Sequence, residues 1–261
     1  MMATSNVTVH VIVKNEDQWI WYAIASVIDH VDRLIIYDTG STDKTMDIIK
    51  SFDSKKIYFE EKGNVTPSKL TQLRNDQIEQ TKTEWFMLVD GDEVWPQSSI
   101  QALTDASKKV SSKVVGIVVK ALLPVGDLDH LQDEQAGKYN LLGMKGHFNI
   151  RLYRKKDGYS WKNDYPLEAY ADSNGVSINE KNESLYFEKY APYFHMRLLG
   201  RSSLSMKKKL EIGSTHIMKL PEVLSTDHPK IVPSAFVKFS TTEYIQAMLL
   251  SPLLKVKRLL R

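Results

Sequence analysis

The chain has 261 residues, enough to bury a substantial core as one large domain or as a domain with a small appendage. Its 35 basic and 32 acidic residues leave a net charge of +3, too weak a balance for a phosphate-tracking surface, so no nucleic-acid partner is expected. The absence of cysteine excludes disulfides and thiolate metal sites and suits a reducing compartment. Residues 1–6 carry no basic segment leading into an apolar run, and no apolar stretch approaches the ~20 residues that span a bilayer; a cytoplasmic protein is expected.

Val7 to Val13 is a β-branched run that ends in Lys14-Asn15-Glu16, and Ile20, Ala23, Ile24, Val27 and Ile28 then fall on one helical stripe. Leu34 to Tyr37 reads as the next strand, closed by Asp38-Thr39-Gly40-Ser41, with a helix starting near Thr42. The pattern continues with a strand at Ile57 to Phe59, a helix from about Pro67 to Lys82, and a strand at Trp85 to Val89. A helix around Ser98 to Lys109 leads to the strand Val114 to Val119. Alternation of helices with continuously apolar strands predicts an α/β fold, a mostly parallel sheet flanked by helices. Pro124 to Lys145 shows no period and reads as a long functional loop. Strands are expected again over His147 to Tyr153, at Tyr159 to Trp161 and ending near His195. The spacing after that predicts helices over about 201–219 and from Phe236 onward, a C-terminal helical extension.

Ligands of an open parallel sheet bind beyond the carboxyl ends of its strands. The residues leaving those ends are Lys14, Asn15 and Glu16, then Asp38, and then Asp90, Gly91, Asp92 and Glu93. This edge is acidic and has neither GxGxxG nor GxxxxGK[ST] to cradle a phosphate. A phosphate ligand here requires a cation such as Mg2+ or Mn2+ between it and the carboxylates. Asp90-Gly91-Asp92, at the end of the apolar run Trp85 to Val89, suits that task; taken alone, the same tripeptide reads as a turn.

Four segments occur in order: Val11-Ile12-Val13-Lys14-Asn15-Glu16, Leu34 through Asp43, Leu73-Arg74-Asn75, and Leu88-Val89-Asp90-Gly91-Asp92-Glu93. Together they resemble glycosyltransferase family 2, strongly over about residues 7–95 and more weakly to about residue 200. The resemblance implies a GT-A (Rossmann-like) fold and an inverting glycosyltransferase. A sugar would pass from a nucleoside-diphosphate sugar, most often UDP-linked, to a hydroxyl of a glycan or lipid-linked acceptor. It implies that Lys14, Asn15, Glu16 and Asp38 line the nucleotide pocket and that Arg74 holds the nucleotide or diphosphate side. Asp90 and Asp92 would form a DxD site for Mn2+ or Mg2+, with Gly91 between them against the donor. His195, in Tyr193-Phe194-His195, matches a further metal ligand; a packed, hydrogen-bonded histidine is the alternative. Similar enzymes place a catalytic base after a strand such as Asn149 to Arg154. Glu168 falls there, although Leu167 replaces a histidine usual in the pair, and Asp164 is the runner-up.

The implied organisation is a catalytic domain over 1–200, with a nucleotide-sugar half at about 1–123 and an acceptor half at about 124–200, followed by the extension 201–261. Arg201 and Lys207 to Lys209 read as a solvated helix face or as phosphate contacts. Residues 244–261 combine leucines with Lys255, Lys257, Arg258 and Arg261 and have no acidic residue. They read either as an interfacial helix drawn to anionic lipid, which makes the protein peripheral on the inner face of the membrane, or as a helix docked with its basic side in water. A sugar-nucleotide nucleotidyltransferase and a non-catalytic binding module are the competing functions. The first usually carries a Gly/Arg-rich loop where this chain has Lys14-Asn15-Glu16-Asp17.

Overall fold

The computed structural model describes residues 5–205, 208–215 and 219–259. Four strands, β1 (Val7–Val13), β2 (Arg33–Asp38), β3 (Ile57–Glu61) and β4 (Trp85–Leu88), lie parallel in the order β3-β2-β1-β4. After β4 come the two-residue β5 (Glu93–Val94) and then β6 (Gly116–Leu122). The segment expected to be patternless holds β7 (His130–Leu131), β8 (Tyr139–Leu141) and β9 (Met144–Gly146), with β8 and β9 paired to each other.

The long β10 (Phe148–Arg154) runs antiparallel and inserts between β4 and β6, so the sheet is mixed rather than purely parallel. β11 (Ser160–Lys162) and β12 (Ala169–Ala171) form a separate hairpin-like pair. β13 (Leu185–Phe187) and β14 (Tyr193–His195) both run parallel to β6 on its far side, and β14 also pairs antiparallel with β5.

Alternation along the strands divides the core between the two faces of the sheet. Met87, Ile117 and Val119 join a cluster with Ile20 and Ile24 of α1 (Ile20–Val27), Ile48 of α2 (Thr45–Lys50) and other helical residues. Phe86, Leu88 and Val118 join a second cluster with Tyr153, Trp161, Tyr170 and Ile78 of α3 (Pro67–Gln80). α3 starts where the Thr66 hydroxyl caps the Lys69 amide and Pro67 needs no N–H partner. Its Gln77, fully buried, donates to the Val11 and Ile35 carbonyls and so clamps the helix to β1 and β2. α4 (Gln97–Lys109) buries Ile100, Leu103 and Ala106 and ends on Lys108 and Lys109, which complement the helix dipole. His10 of β1 stacks on Phe86, and burial, aided by Arg74 and Lys155, lowers its pKa to about 3, so it is neutral.

The C-terminal helix is α5 (Thr241–Leu259), five residues later than the start expected at Phe236. The helix expected over 201–219 is absent among the described residues there: Ser202 bridges Ser205, and β15 (Ser214–Thr215) pairs with β7. Local side-chain bonds explain the difference. Ser202 Oγ donates to Asp43 at 2.5 Å, and Ser203 binds Asp17 through both its amide (2.7 Å) and its hydroxyl, which commits this stretch to a turn. No described helix is long and apolar enough to cross a membrane.

Candidate active site

The carboxyl ends of β1, β2 and β4 meet at the acidic edge. After β4 the chain turns through Asp90-Gly91-Asp92, and the Glu93 amide donates to the Asp90 carbonyl at 3.0 Å. A Cβ on Gly91 would lie 2.8 Å from Glu16 Cγ, so the close approach of this turn to β1 requires glycine. Pairing of β14 with β5 sets His195 opposite Glu93, and the Met196 amide donates to the Asp92 carbonyl at 2.8 Å. Ligand atoms of Asp90, Glu93 and His195 consequently lie within 4.8 Å of one another.

Asp92 lies beside this triad, with Oδ1 3.3 Å from His195 Nε2 and Oδ2 3.1 Å from Arg201 Nε. Neither oxygen receives a well-directed hydrogen bond although the residue is only 1% exposed. Its charge is balanced instead by the ion pairs to His195 and Arg201. Two carboxylates and an imidazole form a donor set that Mn2+ or Mg2+ can use. Glu93 is more fully engaged: Arg151 binds one oxygen and the Asp90 amide donates to the other at 3.2 Å. Asp90 is the acid of this group that opens to solvent, with its side chain 40% exposed.

Burial raises the pKa of Glu93 to about 7 against the pull of Arg151. For Asp90 burial acts upward too, but Arg151, Arg74 and His195 together hold it below the ordinary carboxylate value. Burial opposes the charge on His195, while Asp92 and Glu93 more than offset it and raise its pKa. Arg151 is the hub of this network. Its Nε donates to the Tyr193 hydroxyl at 3.2 Å, one amino group reaches Asp90 Oδ2 at 3.1 Å, and Tyr193 is stacked on Trp95.

Among the residues expected to line a nucleotide pocket, Asp38 is buried, and its Oδ1 accepts from the Gly40 (2.8 Å) and Ser41 (2.9 Å) amides, a turn that Gly40 makes at φ +92°. Its Oδ2 is buried without a hydrogen-bond partner. Asn15, at φ 54°, accepts from the Thr42 amide at 2.8 Å. Glu16 is buried and paired with Arg201, and exposed Lys14 donates to Asn64 at 2.7 Å. Lys14, Asn15 and Arg201 line a cavity of about 290 Å³ with Ser202, Leu204 and Ser205. A larger groove of about 540 Å³ lies elsewhere, between α4 and residues 186–190, and includes none of these residues.

The residues expected on the acceptor side come together through α3. Asn75 exchanges two hydrogen bonds with the backbone of Trp161 (3.0 and 2.8 Å), and Thr71 donates to the Asn163 carbonyl at 2.6 Å. This docking brings Arg74 over the Trp161 ring and within 3.5 Å of Glu168 Oε1. Glu168 Oε2 is buried without a hydrogen-bond partner. Asp164 is exposed, and its carbonyl accepts from the Leu167 amide at 2.8 Å.

The sequence names Glu93 among the residues leaving the strand ends without giving it a role, and gives none to Arg151 or Tyr193. Glu93 stood in the quoted acidic segment, whereas the pairing of Arg151 with the acidic turn has no local signal. Arg201 joins the site rather than a solvated helix; Lys207 lies outside the described residues.

Fold and site together define an α/β protein with a cluster of acids, arginines and a histidine at the carboxyl edge of a mostly parallel sheet. The glycosyl transferase family 2 profile matches residues 8–164, more than half of the chain, and the chain belongs to that family, with the GT-A type of α/β fold. It is 25% identical over 181 residues to the SPbeta prophage-derived glycosyltransferase SunS of Bacillus subtilis, a match covering 69% of this chain and 42% of SunS. The chain thus spans less than half the length of that relative. A TPR repeat-containing protein of Synechococcus elongatus is 31% identical over 91 residues, 35% of this chain and 21% of its own. Among solved structures, similarity extends to S. aureus TarS (TM-score 0.46, 15% identity, 73% of this chain and 36% of that one). It extends also to the mannosyltransferase PcManGT of Pyrobaculum calidifontis in complex with GDP-Man and Mn2+ (TM-score 0.48, 16% identity, 73% and 56%).

Proposed function

We propose that this chain is an inverting glycosyltransferase that moves a sugar from a nucleoside-diphosphate sugar, UDP-linked in the first instance, to a hydroxyl of a glycan or lipid-linked acceptor. The observation that carries the reading is the meeting of Asp90, Glu93 and His195, with Asp92 Oδ1 3.3 Å from His195, at the same sheet edge where buried Asp38 ends β2 with a partnerless oxygen. Asp38 Oδ2 is an acceptor suited to the N–H of a base or the O–H of a ribose. Asp90, Asp92 and His195 would hold Mn2+ or Mg2+, which when bound supplies positive charge for the leaving diphosphate. Arg151 balances Glu93 and keeps the acidic turn from repelling itself apart.

Glu168 takes the proton of the acceptor hydroxyl at Oε2, while Arg74 orients the carboxylate through Oε1. The hydroxyl oxygen forms a bond to the anomeric carbon as the bond to the diphosphate oxygen breaks, inverting the centre in one displacement. The proposed division of the chain remains a catalytic domain over 1–200 followed by the extension 201–261.

The test is incubation with Mn2+ and a panel of nucleotide sugars. Release of nucleoside diphosphate, including slow donor hydrolysis without acceptor, is the expected result. Pyrophosphate chemistry would instead identify a nucleotidyltransferase, and donor binding with no turnover a binding module.

A further inference from the structure

We propose that the outward face of α5 is a docking surface for an anionic lipid bilayer. The helix is anchored along one side only. Ala247 and Ser251 are buried, and Ser251 Oγ accepts from the Ile212 amide at 2.7 Å. Arg258 donates to both oxygens of buried Glu211, at 2.6 and 2.8 Å. At 3.6 residues per turn, positions 247, 251 and 258 share one flank of the helix.

The opposite flank is apolar where a solvated helix carries charge. Tyr244, Ile245, Met248, Leu249, Leu253 and Val256 are each between 51% and 72% exposed. On the same helical spacing they cover roughly half of the circumference. That arc is wider than the a/d seam with which one helix meets another, and it matches a continuous apolar phase. Lys255 and Lys257 are exposed and sit at the two margins of the arc, and no acidic residue follows Glu243. Two copies paired in parallel would bring these lysines against one another. Anionic headgroups would neutralise them while the side-chain stems reach up from the apolar layer. No described helix is apolar enough to cross a bilayer, so the contact lies in the plane of the interface. Residues 260 and 261 lie outside the described part of the chain and are not needed for this surface.

The proposal does not depend on sugar transfer. The full chain is floated with phosphatidylcholine vesicles with and without phosphatidylglycerol, alongside the double variants L249E/L253E and K255E/K257E. Because the altered side chains point to solvent, circular dichroism and thermal melting should match the parent. The expected result is flotation with the phosphatidylglycerol vesicles, weakened by salt and reduced on the order of tenfold or more in both variants. No flotation with anionic vesicles, or equal flotation of parent and variants, would overturn the proposal. A lipid-free dimer in sedimentation equilibrium that L249E/L253E dissociates would overturn it in favour of a second copy of the chain.

Discussion

Asp92 is 1% exposed, yet neither of its oxygens has a directed hydrogen bond, while Glu93, one position on, is bound on both oxygens. This contrast assigns different work to neighbouring acids. Glu93 holds the turn to β10 through Arg151, whereas Asp90 shares Arg151 through one oxygen and Asp92 meets His195 and Arg201 as ion pairs. Asp92→Ala and Asp90→Ala are each expected to lower metal-dependent release of nucleoside diphosphate by about 100-fold or more while the circular dichroism spectrum is retained. Parental turnover in either variant would sink the metal reading. Glu168→Gln tests the base separately: kcat should fall between ~10²- and ~10⁴-fold with donor affinity preserved, because the isostere keeps its place beside Arg74 but cannot take a proton. A variant that loses donor binding instead would make Glu168 a structural partner of Arg74. The strand-exit rule makes Asp38 and Asp90 legible as ligand-facing residues, since each follows an apolar strand directly. Arg151 was opaque because its alternation within β10 says only that it faces one side of the sheet.

At the level of elements, one buried acid supplies the ion pair that holds the C-terminal part of α5. Burial acts to raise the pKa of Glu211, but Arg258, Gln132 and Lys209 together lower it from the ordinary 4.5 to about 2. Since the folded-state value is the depressed one, its stabilisation is complete above pH 4.5 and is lost as pH falls towards 2. Hydrogen exchange of α5 should therefore accelerate over that window before the sheet is affected. At neutral pH, Glu211→Gln should cost about 1.5–3 kcal/mol, the worth of hydrogen bonds to a charged partner, measured by denaturant titration. An unchanged exchange pattern in α5 would show that the helix is held by other contacts. The residues around Glu211 fall in the helix expected over about 201–219. The turn forms instead because Ser202 and Ser203 find Asp43 and Asp17, acids that lie some 160 to 186 positions earlier in the chain.

For the whole molecule, the question is whether 201–261 can part from the rest. Leu224, Val232 and Ala235 belong to the same apolar cluster as Val7 and Val9 of β1. Gln18 donates to the Ser234 carbonyl at 2.7 Å and Tyr22 to the Pro233 carbonyl at 2.9 Å. A single cooperative thermal transition is therefore expected, and a chain ending at residue 200 should melt lower or fail to fold. Two resolved transitions in calorimetry would instead make the extension an independent unit.

In the first half of the chain, strand and helix type, their alternating order and the acidic strand exits were determined by the sequence alone. Apolar period and the residue that ends an apolar run are local properties. Only the tertiary structure decided which distant groups face the acidic turn. The insertion of β10 between β4 and β6 delivers Arg151, the pairing of β14 with β5 delivers His195, and the docking of α3 on β11 joins Arg74 to Glu168. Sheet order and register arise from the packing of two core faces across the whole chain, so no local pattern in those segments could announce which residues would meet.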